Sequence, residues 1–197
     1  MENLPIRTGT WDDEEQLGAL LAISFTDDPF VRWIMPNPLH LLNDSKIHPR
    51  RAYGAAFDAG SIFIIGDFAG AAVWLPPGAK SDRSDEVEHS GENVEGPAFP
   101  ADFPELLAQS EKYCPTDPHW YLGLIAVDPA WRGKGIGSQL MKHCLEITDQ
   151  DGLPTYLEST SPANVTLYER FGFEELARVS VNGSPVRIPM LRPAQNN

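Results

Sequence analysis

The sequence predicts a mixed α/β domain, and three observations predict it. Two apolar, β-favouring runs, Ser61–Ile65 and Ala69–Leu75, flank Gly66-Asp67-Phe68 and read as a hairpin. A strong strand, Trp120–Val127, leads through a glycine-rich turn into a helix with Ile136, Leu140, Cys144 and Ile147 on one face. A further strand, helix and hairpin fill Thr155 to Leu191. At 197 residues the chain suits one domain, read as 1–197, and can bury a core without staples.

The elements follow in order. Leu4–Thr8 reads as a first strand, and Thr10 as an N-cap before a helix with Leu17, Leu20 and Leu21 at helical spacing. Pro29, Pro36 and Pro38 interrupt, and a second helical stretch covers about His40 to Ala59. The segment 76–118 reads as a long acidic loop or insertion, with a helix over Phe103–Tyr113. Gly135 or Gly137 opens the helix after Val127, and Gly152 and Pro154 close it. Ser161-Pro162 places a cap before a first-turn proline. Two last strands, about Glu174–Val181 and Val186–Leu191, meet across Asn182-Gly183.

Composition narrows the function classes. Fifteen Lys and Arg against 28 Asp and Glu give a net charge of −13, which argues against nucleic acid or an anionic membrane as a partner and suits a cationic small molecule. No apolar run reaches the roughly 18 residues of a membrane span. Cys114 and Cys144 make no disulfide framework, so a reducing, cytoplasmic setting is expected. No His, Cys or Asp spacing suggests a metal.

The chemistry concentrates in Leu124-Ile-Ala-Val127-Asp-Pro-Ala-Trp-Arg132-Gly-Lys-Gly-Ile-Gly137-Ser138. Glycines admit close backbone approach, and the amides at a helix start make an anion site. Arg132 and Lys134 add positive charge in an acidic chain, so a pyrophosphate is the expected guest. The P-loop pattern fails because Gly135 follows Lys134, and the spacing Gly133-x-Gly135-x-Gly137 is not the dinucleotide fingerprint. The remaining pattern, R-G-x-G-I-G after a strand ending V-D-P, resembles the acetyl-coenzyme-A loop of GNAT-superfamily N-acetyltransferases. Downstream, Leu157-Glu-Ser-Thr-Ser-Pro-Ala-Asn164-Val-Thr-Leu-Tyr168-Glu-Arg-Phe-Gly-Phe173 is similar to that family's second signature, in the form found in puromycin N-acetyltransferase and its relatives.

The resemblance implies a GNAT fold, a mostly antiparallel sheet whose fourth and fifth strands splay apart. It implies pantetheine in that gap on the backbone of Ile125, Ala126 and Val127, and pyrophosphate on Arg132, Gly133, Lys134, Gly135, Ile136, Gly137 and Ser138. Asn164 would reach the pantetheine arm, although many members carry that asparagine three residues earlier, where Ser161 stands here. The implied reaction is direct attack of a small-molecule amine on acetyl-CoA, with no metal. Tyr168 is the expected general acid, since a phenol stays protonated at neutral pH. Glu158 is the candidate base, directly or through water, if burial raises its basicity. Phe30 and Trp74, with Trp33, would make an aromatic wall for the acceptor, and Asp27 or Asp28 would meet a cation.

The acceptor's protonation decides how much help it needs. An amine near pKa 10.4 costs roughly 4.6 kcal/mol to neutralise at pH 7, and one near 7.8 only about 1 kcal/mol. Two other readings fit the same motifs: acetylation of protein N-termini or lysines, and a non-catalytic acyl-CoA sensor that would have no use for Tyr168.

Overall fold

A computed structural model describes residues 3–37, 49–79 and 99–195. The expected helix start near residue 40 and much of the acidic loop therefore lie outside the described residues. Seven strands form one sheet in the order β1-β2-β3-β4-β5-β7-β6. They are β1 (Ile6–Thr8), β2 (Ile62–Ile65), β3 (Gly70–Leu75), β4 (Trp120–Val127), β5 (Thr155–Ser159), β6 (Glu174–Glu175) and β7 (Ile188–Arg192). Every neighbouring pair is antiparallel except β4 with β5.

Helices cover both faces, which is why β2 and β3 are apolar throughout rather than alternating. On one face α5 (Ile136–Thr148) and α6 (Pro162–Glu169) pack Ile136, Leu140, Met141, Cys144 and Val165 against Phe63, Ala72 and Trp74. On the other, α1 (Glu14–Ser24) and α3 (Pro49–Asp58) pack Leu17, Leu20, Leu21, Ala56 and Phe57 against Ile62, Ile64, Ala71 and Val73. Beside this second layer, α2 (Pro29–Ile34) and α4 (Phe103–Glu111) join the last hairpin through Phe30, Phe103, Leu106, Val179 and Val181. Among the described residues no helix is long and apolar enough to cross a membrane.

Three local departures from the sequence reading have plain causes. Ile147 is exposed although its angular position falls between those of Ile136 and Leu140, because it stands in the last turn of α5. The last hairpin is not two long strands: β6 has two residues, and Val179 rejoins Arg187 only as an isolated bridge. Pro189 has no N–H for that ladder, and the register shifts by one residue between Glu175–Met190 and Val179–Arg187. Finally, the β3–β4 register shifts between Val73 and Trp74, which pair with Leu124 and Leu122 and leave Gly123 as a bulge. The bulge reverses the alternation, so Leu122 faces the α5 layer and Leu124 the α1 layer.

Candidate active site

The parallel ladder between β4 and β5 covers Trp120–Thr155, Tyr121–Tyr156 and Leu122–Leu157 only. Past the bulge the two strands part, as the resemblance implied. Asp128 N donates to Ala69 O at 3.1 Å, which makes 69 and 128 a hydrogen-bonded pair of the β3–β4 ladder. Antiparallel pairs alternate, so Ala126 also bonds toward β3, and the amides of Ile125 and Val127 face the split. Ala126 is thereby corrected as a hydrogen-bonding partner for pantetheine. The Val127 carbonyl accepts from Ser24 Oγ at 3.1 Å.

Beyond β4, Asp128 caps a 3-10 turn over Pro129–Trp131 by accepting from Ala130 N at 2.7 Å. Gly133 and Gly135 then take φ of 74° and 83°, left-handed backbone that glycine adopts without steric cost. Gln139 N to Gly135 O, 3.0 Å, is the first turn of α5, so Ile136, Gly137 and Ser138 present amides with no intrahelical acceptor. This donor set at a helix start suits a phosphate group. Arg132 is exposed but spends one Nη2 bond on Ser24 O at 2.6 Å, and Lys134 Nζ lies 4.6 Å above the Trp131 ring.

Tyr168 is buried in α6, on the α5 side of the split, packed edge-on to Phe173. Desolvation, and then the charge of Asp28, push its phenol well above the ordinary value of 10, so it remains a proton donor. Asp28 comes from the opposite layer. Its Oδ1 caps α2 by accepting from Phe30 N and Val31 N, both at 2.9 Å, and its Oδ2 accepts from Thr160 Oγ1 at 2.8 Å. A carboxylate has about four lone-pair sites, so one on Oδ2 stays available.

The Glu158 side chain has no solvent exposure and forms an ion pair with Arg187, itself 8 % exposed. Tyr156 OH donates to Glu158 Oε1 at 3.0 Å, and the Arg187 guanidinium lies 5.0 Å from the centre of the Phe30 ring. This corrects the role expected of Glu158 as base. Its oxygens are spent on Arg187 and Tyr156, and the side chain has no exposed face for an amine.

The aromatic wall is also corrected. Trp74 is fully buried under α5, on the face opposite Tyr156 and Glu158, with no exposed surface to offer an acceptor. Phe30 lies on the face of Tyr156 and Glu158 but is buried against Trp33, Phe103 and Arg187. Asn164 sits exposed in the first turn of α6 with its N–H on Ser161 O, 3.0 Å. His119 Nδ1 lies 2.8 Å from Asp117 O, and its Nε2 faces Cys114 Sγ at 3.7 Å. Among the described residues no group of three His, Cys, Asp or Glu is placed to hold a metal.

Sequence reasoning missed Thr160, Arg187 and Ser24. Asp28 over Asp27 had one legible signal, since Asp-Pro at a helix start marks Asp28 as the cap.

Residues 106–175 match the family described as the acetyltransferase (GNAT) domain. That segment is similar to a GNAT acetyltransferase domain. An uncharacterized N-acetyltransferase of Schizosaccharomyces pombe is 27 % identical over 197 residues, covering 90 % of this chain and 77 % of that one. The fold matches a histone acetyltransferase HPA2 and related acetyltransferase from Corynebacterium glutamicum, with TM-score 0.70, 24 % identity and coverage of 100 % and 99 %. It also matches mosquito arylalkylamine N-acetyltransferase like 5b, with TM-score 0.72, 19 % identity and coverage of 96 % and 99 %. The matched model and the matched folds are those of acetyltransferases.

Proposed function

We propose that the protein is an acetyl-CoA-dependent N-acetyltransferase whose acceptor is the amine of a small molecule. The observation that supports this reading is that Thr160, in the turn that launches Tyr168, holds Asp28 at 2.8 Å, with the Asp28 charge acting on the Tyr168 phenol. Tyr168 supplies a phenol kept protonated, Asp28 a carboxylate with a lone pair to spare for an ammonium. The likeness to a mosquito protein named arylalkylamine N-acetyltransferase like 5b favours the same reading, while the acidity of this chain suits a cationic small molecule and a basic peptide alike.

In this reading the Ile136, Gly137 and Ser138 amides hold the pyrophosphate, with Lys134 and Arg132 adding positive charge. Ile125 and Val127 hold the pantetheine arm. Asp28 receives the ammonium and takes the proton that must leave before attack. The amine nitrogen then bonds to the thioester carbonyl carbon, the C–S bond breaks, and Tyr168 gives its proton to the departing sulfur. The second nitrogen proton leaves as the amide forms and restores the tyrosine through solvent. Glu158, Arg187 and Tyr156 form the rigid floor that sets the position of β5.

The test is calorimetric titration with acetyl-CoA, followed by thiol release over small amines and basic peptides. We expect binding, release driven by small amines, and a loss of about a hundredfold in kcat for Tyr168→Phe. Release driven by peptides alone would replace the small-molecule acceptor with a protein one. Binding without any release would leave an acyl-CoA sensor.

A further inference from the structure

The aromatic side chains on the acceptor face form a row that begins where the strands part. The helical course of α3 breaks at Tyr53, whose φ and ψ are −135° and 23°. Its ring rests against the bulge: a Cβ placed on Gly123 would stand 3.2 Å from Tyr53 Cε1 and 3.8 Å from Tyr121 Cε1. Gly123 is also the first residue of β4 beyond its last partner on β5. Tyr121 in turn stacks on Tyr156, with centroids 5.8 Å apart and planes at 29°, and His119 meets Tyr156 edge-on at 6.0 Å. Tyr156 is fully buried, and Tyr53 and Tyr121 are half-buried residues at the outer end of the row.

Two features make this row more than core packing. The apolar residues of this face fall into two separate clusters, one under α1 and α3 and one around Phe30 and Phe103, and Tyr53 and Tyr121 stand at the rim of the first. The side chain at the bulge is also a bare hydrogen, which leaves room for the Tyr53 ring beside the backbone of the split.

We propose that Tyr53 is a specificity-determining residue that selects amines bearing an aromatic ring near the ammonium group, with Tyr121 completing the platform. The proposal rests on the N-acetyltransferase reading above and names the acceptor class for that site. A flat ring offers an aromatic acceptor an offset or edge-on partner and offers its cation a negative π-face, whereas a linear aliphatic amine meets only the second.

The test uses the full chain saturated with CoA, so that it does not depend on turnover. Calorimetry compares phenethylamine with hexylamine, for the wild type, Tyr53→Leu and Tyr53→Phe, with melting temperature checked for each. We expect the wild type to prefer phenethylamine, Tyr53→Leu to lose about three- to tenfold of that affinity with hexylamine little changed, and Tyr53→Phe to keep it. Equal affinity for the two amines in the wild type, or a preference that survives Tyr53→Leu, overturns the proposal. A Tyr53→Leu that weakens both amines alike overturns it too. Thiol release in a parallel assay with acetyl-CoA tests the transferase reading separately, so an aromatic preference without release refutes that reading alone.

Discussion

Thr160 Oγ1 donates to Asp28 Oδ2 at 2.8 Å, joining residues 132 apart in sequence. One stands at the end of the fifth strand and the other caps α2, so a single hydroxyl ties the acceptor layer to the turn that launches α6 and Tyr168. A bond to an ionised acceptor is stronger than a neutral one, and losing it frees the carboxylate to rotate about its cap.

Thr160→Val removes that hydroxyl while keeping the shape. We expect kcat/KM for small amines to fall about tenfold, in line with roughly 1.5 kcal/mol for a hydrogen bond to a charged group. Thr160→Ser should restore most of it, and acetyl-CoA affinity should stay level. Steady-state kinetics with calorimetry checks both.

Tyr168 makes a statement about pH. Burial and the Asp28 charge raise its folded pKa, so the phenol stays a donor beyond pH 10. A pH–rate profile should therefore show no decline from its ionisation up to about pH 10, where an ordinary tyrosine would already be half ionised. Asp28→Asn removes one of the two causes and should bring a decline to lower pH.

The two cysteines should differ sharply. Desolvation pushes the Cys144 thiol up to about 12, partly offset by a contact with Trp74, while Cys114 is half-exposed beside His119. A thiol-reactive disulfide dye should titrate one cysteine in the native protein and the second only after unfolding.

At the start of the chain, Asp13 accepts both Arg7 Nη groups at 2.7 Å and Thr10 N at 2.8 Å. The Arg7 bonds, more than the Thr10 amide, hold its carboxyl down at about 2 against desolvation. The lowered value means that this stabilisation is complete above the ordinary carboxylate range and is lost as pH falls through about 2. Asp13→Asn should cost about 1 to 2 kcal/mol at pH 7, a range set by the solvent screening of half-exposed Arg7. Denaturant melts at several pH values should show the gap to the wild type narrowing below pH 4 and closing near pH 2.

Gly135 holds the amide loop in left-handed backbone. Gly135→Val places a β-branched residue there, which costs on the order of 1–3 kcal/mol and reshapes the anion site. We expect acetyl-CoA affinity to fall at least about tenfold. Unchanged affinity would remove the loop from the binding site.

Much of this architecture is legible in the sequence because local rules agree there. Trp120–Val127 is found with the expected bounds, Ser161-Pro162 opens α6, and Gly135 opens α5. The sidedness of Trp74 was not legible, since alternation along one strand does not say which sheet face carries the acceptor. The Gly123 bulge, which reverses alternation, depends on how β4 pairs with β3. Nor does the sequence reveal the Glu158–Arg187 pair. It depends on β5 lying beside β7 with Glu158 opposite Pro189, an adjacency set by the whole sheet. Local periodicity finds elements, and only tertiary pairing decides which buried carboxylate meets a cation.

The short ladder between β4 and β5 makes the sheet two panels joined by a seam of three residue pairs. Each panel has its own antiparallel pairing, β1 to β4 and β5 to β7, and Arg192 anchors the second by gripping Asp149 and the Phe171 carbonyl. A molecule lodged in the split acts as a splint, supplying backbone partners where the seam has none. Held at a hundred times its dissociation constant, such a splint adds about 2.7 kcal/mol to the folded state. The gain falls first on the seam, so under the proposed function the acetyl donor would also fasten the two panels while the acceptor arrives.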